Sequence, residues 1–366
     1  MGVGTAGAGT LNRALVALAA LALAGCGGAH GARTASPSAR RAPVLMDQTS
    51  GVTAVLQAVS AVSGQVAWVA GHAGVVLRTT DGGAGWELLR VPGADSLEFR
   101  DVQAFDADLA YLLAAGPGSR SRIFKTTDGG RTWAEQFVNA EPRAFYDCFA
   151  FFDRDRGVVV SDAVDGRLLL RATRDGGAHW ESVPPGGIPP AREGEGAFAA
   201  SGTCLVALGD HLAWIATGSP SEARVYRSRD AGLTWSVQAV PVAFGEAAGV
   251  TSLAFRDPLH GVALGGRIAV ATDTANAVAV TADGGATWVR SGRPPFPRAV
   301  FGSAYVPGVR PAVLVAASPG GLAISRDDGA TWDGLSTDEY WAVGFGSAHA
   351  GWAVGPHGRI TLIYFR

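Results

Sequence analysis

The sequence predicts an all-β chain, a seven-bladed β-propeller whose closing blade is shared by the two ends of the chain. Three observations carry this. The pattern Ser/Thr-x-Asp-x-Gly-x-x-Trp occurs six times. Its aspartates, Asp81, Asp128, Asp175, Asp230, Asp283 and Asp327, are 47, 47, 55, 53 and 44 residues apart, the length of one four-stranded propeller blade. Between the copies lie short runs of alternating apolar residues bounded by Gly-rich turns, which read as strands.

Each copy has the chemistry of a tight hairpin turn. The Asp carboxylate can accept from backbone N–H groups just ahead of it, the Ser/Thr hydroxyl adds a local bond, and Gly supplies φ > 0 without steric cost. The closing Trp (Trp86, Trp133, Trp180, Trp235, Trp288 and Trp332) has a ring to bury beside the turn, with its indole N–H expected near the wet surface. The pattern resembles the Asp-box, or BNR repeat, of sialidases, sortilin-type receptors and photosystem II assembly-factor propellers. These aspartates are read as structural. One carboxylate per turn is too few for calcium, so no metal site is expected.

The chain is taken in order. Residues 1–25 read as a signal peptide: Arg13 supplies the positive region, and residues 14–23 are an apolar stretch too short to span a bilayer. Leu23-Ala24-Gly25-Cys26 resembles the lipobox of bacterial lipoproteins, which implies cleavage before Cys26 and its acylation. Gly27 in place of Asp after the cysteine implies the outer membrane where a cell has two. With the lipidated Cys26, residues 26–42, rich in Gly, Ala, Ser and Arg, read as a flexible tether. The propeller is assigned to residues 43–366 as one domain. The second box illustrates a blade, with strands expected at 97–105, 109–115, 122–126 and 133–138. Residues 340–364 supply three strands with no box after them, and residues 43–48 supply the missing fourth, so the two ends close the ring and leave no free sheet edge.

Charge excludes some function classes. From Pro43 onward 26 basic residues face 32 acidic ones, a net of −6, which argues against a nucleic-acid partner. Cys148 and Cys204 are expected to be free, mostly buried thiols. Aligning residues 147–150 with 196–199 makes Ala197 the counterpart of Cys148 and puts Cys204 seven residues further on, roughly 20 Å away along the blade. A disulfide needs Cα atoms within about 7 Å. There is no CxxC and no His/Cys cluster with metal spacing.

Strand alternation puts the boxes on one face and the loops entering each first strand on the other, around the mouth of the central channel. Unusual charged residues collect at that mouth: Arg100 and Asp101 entering the second blade, and Arg143, Tyr146 and Asp147 entering the third. Asp162, Asp165 and Arg167 lie in a second-to-third-strand loop. Arg192, Glu193 and Glu195 lie in the long Pro/Gly connection of residues 184–196. Arg100, Arg143 and Arg192 on neighbouring blades could take a carboxylate or phosphate. A solvated polar rim accounts for the same set without any ligand.

Residues 146–152 with Val164-Asp165-Gly166-Arg167, the six boxes, and the repeated Trp-Val-Ala-Gly and Trp-Ala-Val-Gly strands resemble the photosystem II assembly/stability-factor-type family, which includes bacterial lipoproteins. The resemblance implies a docking scaffold that binds a protein partner or an extracytoplasmic ligand at the mouth. It implies a non-enzymatic monomer without a cofactor, attached to the membrane by its lipid anchor alone. The alternative is a glycoside hydrolase of sialidase or xyloglucanase type, with a carboxylate pair such as Asp147 and Glu195. The Arg-Ile-Pro signature of sialidases is absent, and seven blades depart from their six.

Overall fold

The computed structural model describes residues 1–2, 42–273 and 277–366. Chain contacts cluster in two units, Met1–Thr34 and Ala35–Arg366, and every strand described belongs to the second. The signal peptide, the lipobox with Cys26 and nearly all of the tether lie outside the described residues.

Seven four-stranded antiparallel sheets form the seven blades. The second blade runs Phe99–Ala104, Ala110–Ala114, Arg122–Thr126 and Ala134–Val138, within two residues of the expected strands. In the closing blade Ala342–Phe345, Ala350–Val354 and Ile360–Tyr364 are joined by Val44–Gln48 as the outermost strand. The register runs from Val44 opposite Tyr364 to Gln48 opposite Ile360.

The boxes close as hairpins between third and fourth strands. In the second, Thr126 Oγ1 accepts from Gly130 N–H (2.9 Å) and Asp128 Oδ1 from Thr132 N–H (2.9 Å), while the Thr132 hydroxyl donates to Asp128 Oδ2 (2.6 Å). These donors hold the half-buried Asp128 carboxyl down at about 2. The first two turn positions have positive φ, 76° at Gly129 and 85° at Gly130. The indole N–H groups depart from expectation: those of Trp133, Trp235 and Trp332 donate inward, to the carbonyl of the pattern glycine (3.0–3.1 Å).

Box tryptophans also tie blades together. Trp68, fully buried on the second strand of the first blade, meets Trp133 of the next box edge to face at 6.2 Å, and Trp352 meets Trp86 at 6.3 Å. Such contacts contribute about 0.5–1.5 kcal/mol each beyond burial. The core is thus a ring of apolar layers between blades.

Two expectations fail at the fourth blade, for one reason. Its inner strand is Leu205–Leu208, paired from Leu205 opposite Ile215, and not a strand at 196–199. The connection after Pro184 is therefore longer than it reads, and Cys204, at the entrance to that strand, is the counterpart of Cys148. The two form a disulfide with Cα atoms 6.0 Å apart, so the expected free thiols are a correction. The apolar run of residues 197–200, aligned with residues 147–150, mimicked a strand. In fact these residues pack inward as a crosspiece.

Candidate functional site at the channel mouth

The mouth is built from a repeated irregularity. In four blades the inner strand carries a β-bulge near its start, and the bulged residues are Gln57, Arg100, Asp147 and Thr251. A bulge leaves one residue unpaired and re-aims its side chain. Here each bulged residue is polar, and three of them bind main-chain carbonyls outside their own strand. Gln57 Nε2 donates to Ala199 O (2.8 Å), Arg100 Nη1 to the same carbonyl (3.4 Å), and the Thr251 hydroxyl to Val300 O. His72 Nε2 lies 2.6 Å from Gln57 Oε1.

Residues 196–203 cross the mouth and are held from several sides. Besides the two bonds to Ala199 O, Ser201 Oγ donates to Phe301 O (2.6 Å), and hydroxyls run from Ser201 through Thr203 and Ser252 to Ser303 at 2.7–2.8 Å. The disulfide pins the end of the crosspiece to the third blade. Beside it opens a pocket of about 330 Å³ lined by Arg100, Asp147, Asp162, Phe198, Phe301 and Trp341 among others, residues from five blades and the crosspiece. Phe301 meets Trp341 edge to face at 5.1 Å. A second cleft of about 450 Å³ shares Asp162, Ala197 and Phe198 and runs outward past Arg143 and Glu246.

Of the residues expected at the mouth, the structure brings three together in the pocket: Arg100, Asp147 and Asp162. Arg100 is engaged by Glu98 through Nε (3.1 Å) and Nη2 (2.5 Å). Asp147 is buried, and desolvation, then the charge of Asp162, push its carboxyl well above the usual range, against Arg100. Desolvation pushes Asp162 up to about 6, although its Oδ1 accepts from Ala197 N–H (3.1 Å). Gly196 is required beside it, because a Cβ there would collide with the Asp162 carboxylate.

The others lie elsewhere. Asp101 is buried between blades and accepts from Phe149 N–H (2.9 Å), and burial raises its carboxyl well above the usual range. Tyr146 precedes the bulge and turns away into the blade, its ring against Phe137 (5.2 Å) and its hydroxyl accepting from Arg171 Nε (3.1 Å). Arg143 forms an exposed two-pronged pair with Asp165 at 2.8 and 2.9 Å. Arg167 donates to the carbonyls of Pro185 and Ile188, bracing the long connection. Arg192 pairs with Glu222 (2.5 Å), and Glu193 is exposed.

Glu195 is the largest correction. Instead of standing open between glycines, it is 3 % exposed, with both carboxylate oxygens bonded to Arg224. The Thr217 hydroxyl (2.6 Å), the Arg192 N–H (2.7 Å) and the Tyr226 hydroxyl (3.3 Å) complete its shell. Arg224 lies near the start of the strand Ala223–Ser228 and gives no sign in sequence that it meets a loop 29 residues earlier. Gln57 and Thr251 were also missed. The signal was present: four blades offer one polar residue at the same place near the start of the first strand.

The buried acids set a pH dependence. A carboxyl raised in the folded chain stabilises it fully below its unfolded value, near 4, and that contribution is lost as pH rises through the folded value, about 6 for Asp162. Relative to Asp162→Asn, the wild type is therefore expected to lose on the order of 2 kcal/mol between pH 4.5 and 7.5. Urea unfolding across that range checks it, and parallel curves for the two proteins contradict it.

No protein-family model and no curated protein sequence matches the chain. Solved structures do. A structure of YCF48 bound to a D1 peptide aligns with a TM-score of 0.61 at 15 % identity, covering 89 % of this chain and 98 % of that one. The fold is that of the YCF48 propellers. YCF48 from Cyanidioschyzon merolae aligns at 0.60 and 13 % identity, covering 87 % and 98 % of the two chains. The same architecture recurs in the GH74 xyloglucanase of Xanthomonas campestris, at 0.57 and 16 % identity, covering 87 % of this chain and 53 % of that one. At these identities the YCF48 likeness is one of fold.

Proposed function

We propose that the chain is an envelope-tethered, non-enzymatic scaffold that binds an extended protein segment at the channel mouth. One observation carries this reading: a pocket that is part apolar and part charged, built by five blades and a pinned crosspiece, on the face opposite the boxes. Convergent side chains on a rigid frame are the usual form of a binding site. A propeller of this fold, YCF48, has been solved with a D1 peptide, which supports a peptide as the class of partner here. The glycosidase alternative loses the acid pair read for it, because the Glu195 carboxylate is spent on Arg224, Thr217 and the Arg192 amide.

The test is to pan a displayed peptide library on the full chain and titrate the enriched peptides. Trp341→Ala is expected to weaken them roughly ten-fold or more with little change in melting, as for an aromatic anchor in a pocket. Equal affinity for variant and wild type rejects the mouth as the site. The tether is tested in the same material: Cys26→Ser should move the protein from the membrane to the soluble extract, and unchanged membrane association rejects the acyl anchor.

A further inference from the structure

The mouth pocket contains a group that neither the fold nor its hydrogen bonding accounts for. Asp147 is 2 % exposed, and among the described residues its Oδ2 has no hydrogen-bond partner of proper geometry, although the Asp162 carboxyl and the Ala199 amide lie beside it. A buried carboxyl oxygen without a donor is destabilising, and a buried carboxylate without a counter-charge more so. The atom belongs to a residue lining an open pocket, so its missing donor can be supplied by a ligand.

The sign of the pocket follows from its neighbours. Arg100 is the cation lining it, and Glu98 already neutralises that guanidinium, whose remaining contact is to Ala199 O. On the outer side Arg143 is held by Asp165 and Glu141. Burial pushes His72, bound to Gln57, toward its neutral form. Asp101 lies behind the wall with its own amide donor and is pushed toward its neutral form. Arg100 therefore meets the Asp147–Asp162 pair with its charge already shared, and no other cation lining the pocket offsets the pair. The same pocket is lined by Ile268, Phe301 and Trp341, which pack as one apolar cluster with Ala200.

We propose that this pocket receives a primary ammonium on an aliphatic stem, with Asp147 and Asp162 taking the ammonium and Ile268, Phe301 and Trp341 enclosing the stem. An ammonium brings three donors and no acceptor, which matches a buried carboxyl oxygen that lacks a donor beside a second carboxylate, and its stem gains from apolar and aromatic walls. The chemistry is that of a lysine side chain or of a free alkylamine. Choosing lysine rests on the reading of the mouth as a peptide site; the ammonium specificity does not.

The experiment follows the Trp341 indole N–H resonance of the ¹⁵N-labelled full chain, assigned with Trp341→Phe, at pH 7.5. The probes are n-pentylamine, n-pentanol, pentanoate, and two capped pentapeptides, Ala-Ala-Lys-Ala-Ala and its norleucine counterpart. Pentylamine and the lysine peptide are expected to shift the resonance at concentrations roughly ten-fold below any effect of pentanol or the norleucine peptide, the discrimination expected when a buried polar group is left unpaired. Asp147→Asn and Asp162→Asn, near-isosteric changes, are each expected to weaken pentylamine by about the same factor. Pentanol binding as well as pentylamine, pentanoate binding more tightly, or carboxamide variants that keep the amine affinity would each overturn the proposal. The first two comparisons need no variant to fold. Shifts with pentylamine and neither peptide uphold the ammonium site and reject the peptide reading. Shifts with both peptides alike and not with the amine do the reverse.

Discussion

Glu195→Gln is expected to lower the stability of the propeller by about 3–5 kcal/mol, the cost of leaving one partner of a buried ion pair uncompensated. The Glu195 side chain has no solvent exposure and that of Arg224 has 7 %. Burial works against the Arg224 charge, and the hydrogen bond and charge of Glu195, with the nearby Tyr226 and Glu222, outweigh it and hold the guanidinium firmly protonated. With a neutral amide at 195, that cation keeps its burial and is left with only the more distant Glu222 carboxylate at 3.8 Å, while the Thr217 hydroxyl and the Arg192 amide lose a charged acceptor. Adding Arg224→Met should recover much of the loss, because an apolar replacement removes the stranded charge. Urea unfolding of the two variants measures both effects. A loss below about 1 kcal/mol for Glu195→Gln would mean that the pair behaves as an exposed one.

The second large effect is expected from Cys148→Ser with Cys204→Ser. The bridge joins positions 56 apart in sequence, and a cross-link closing a loop of that length is worth about 4 kcal/mol through the unfolded chain. Both cysteines are fully buried, so the serine hydroxyls add a desolvation penalty. Reduction under native conditions should lower the melting temperature toward that of the double variant. Retained stability after both changes would show that the hydroxyl ladder and the Gln57 and Arg100 bonds suffice to hold residues 196–203.

Strand order, blade number and the closing strand were legible because each rests on local chemistry repeated along the chain. The turn of Thr126 to Trp133 is satisfied by its own atoms: the hydroxyl, the carboxylate and the glycines all act within eight residues. Closure was legible because three strands at one end and one strand at the other make four.

The candidate site was legible only in part. Arg100, Asp147 and Asp162 were found because charged residues are conspicuous at strand ends, and the pocket does contain them. Tyr146 was misplaced because side-chain direction at a strand entrance depends on the bulge, and a single extra residue sends neighbours to opposite sides. Glu195 was misplaced because its partner Arg224 lies on a strand 29 residues away.

The sequence by itself determined the architecture, since an eight-residue turn recurring at blade length leaves few ways to bury the strands between its copies. Only the tertiary structure decided the mouth. Gln57 meets Ala199 across 142 residues, Cys148 meets Cys204 across 56, and Glu195 meets Arg224 across 29. Such meetings depend on the path of a non-repeating connection and on the closing of the ring, which bring distant residues to one axis with no periodic pattern to announce them.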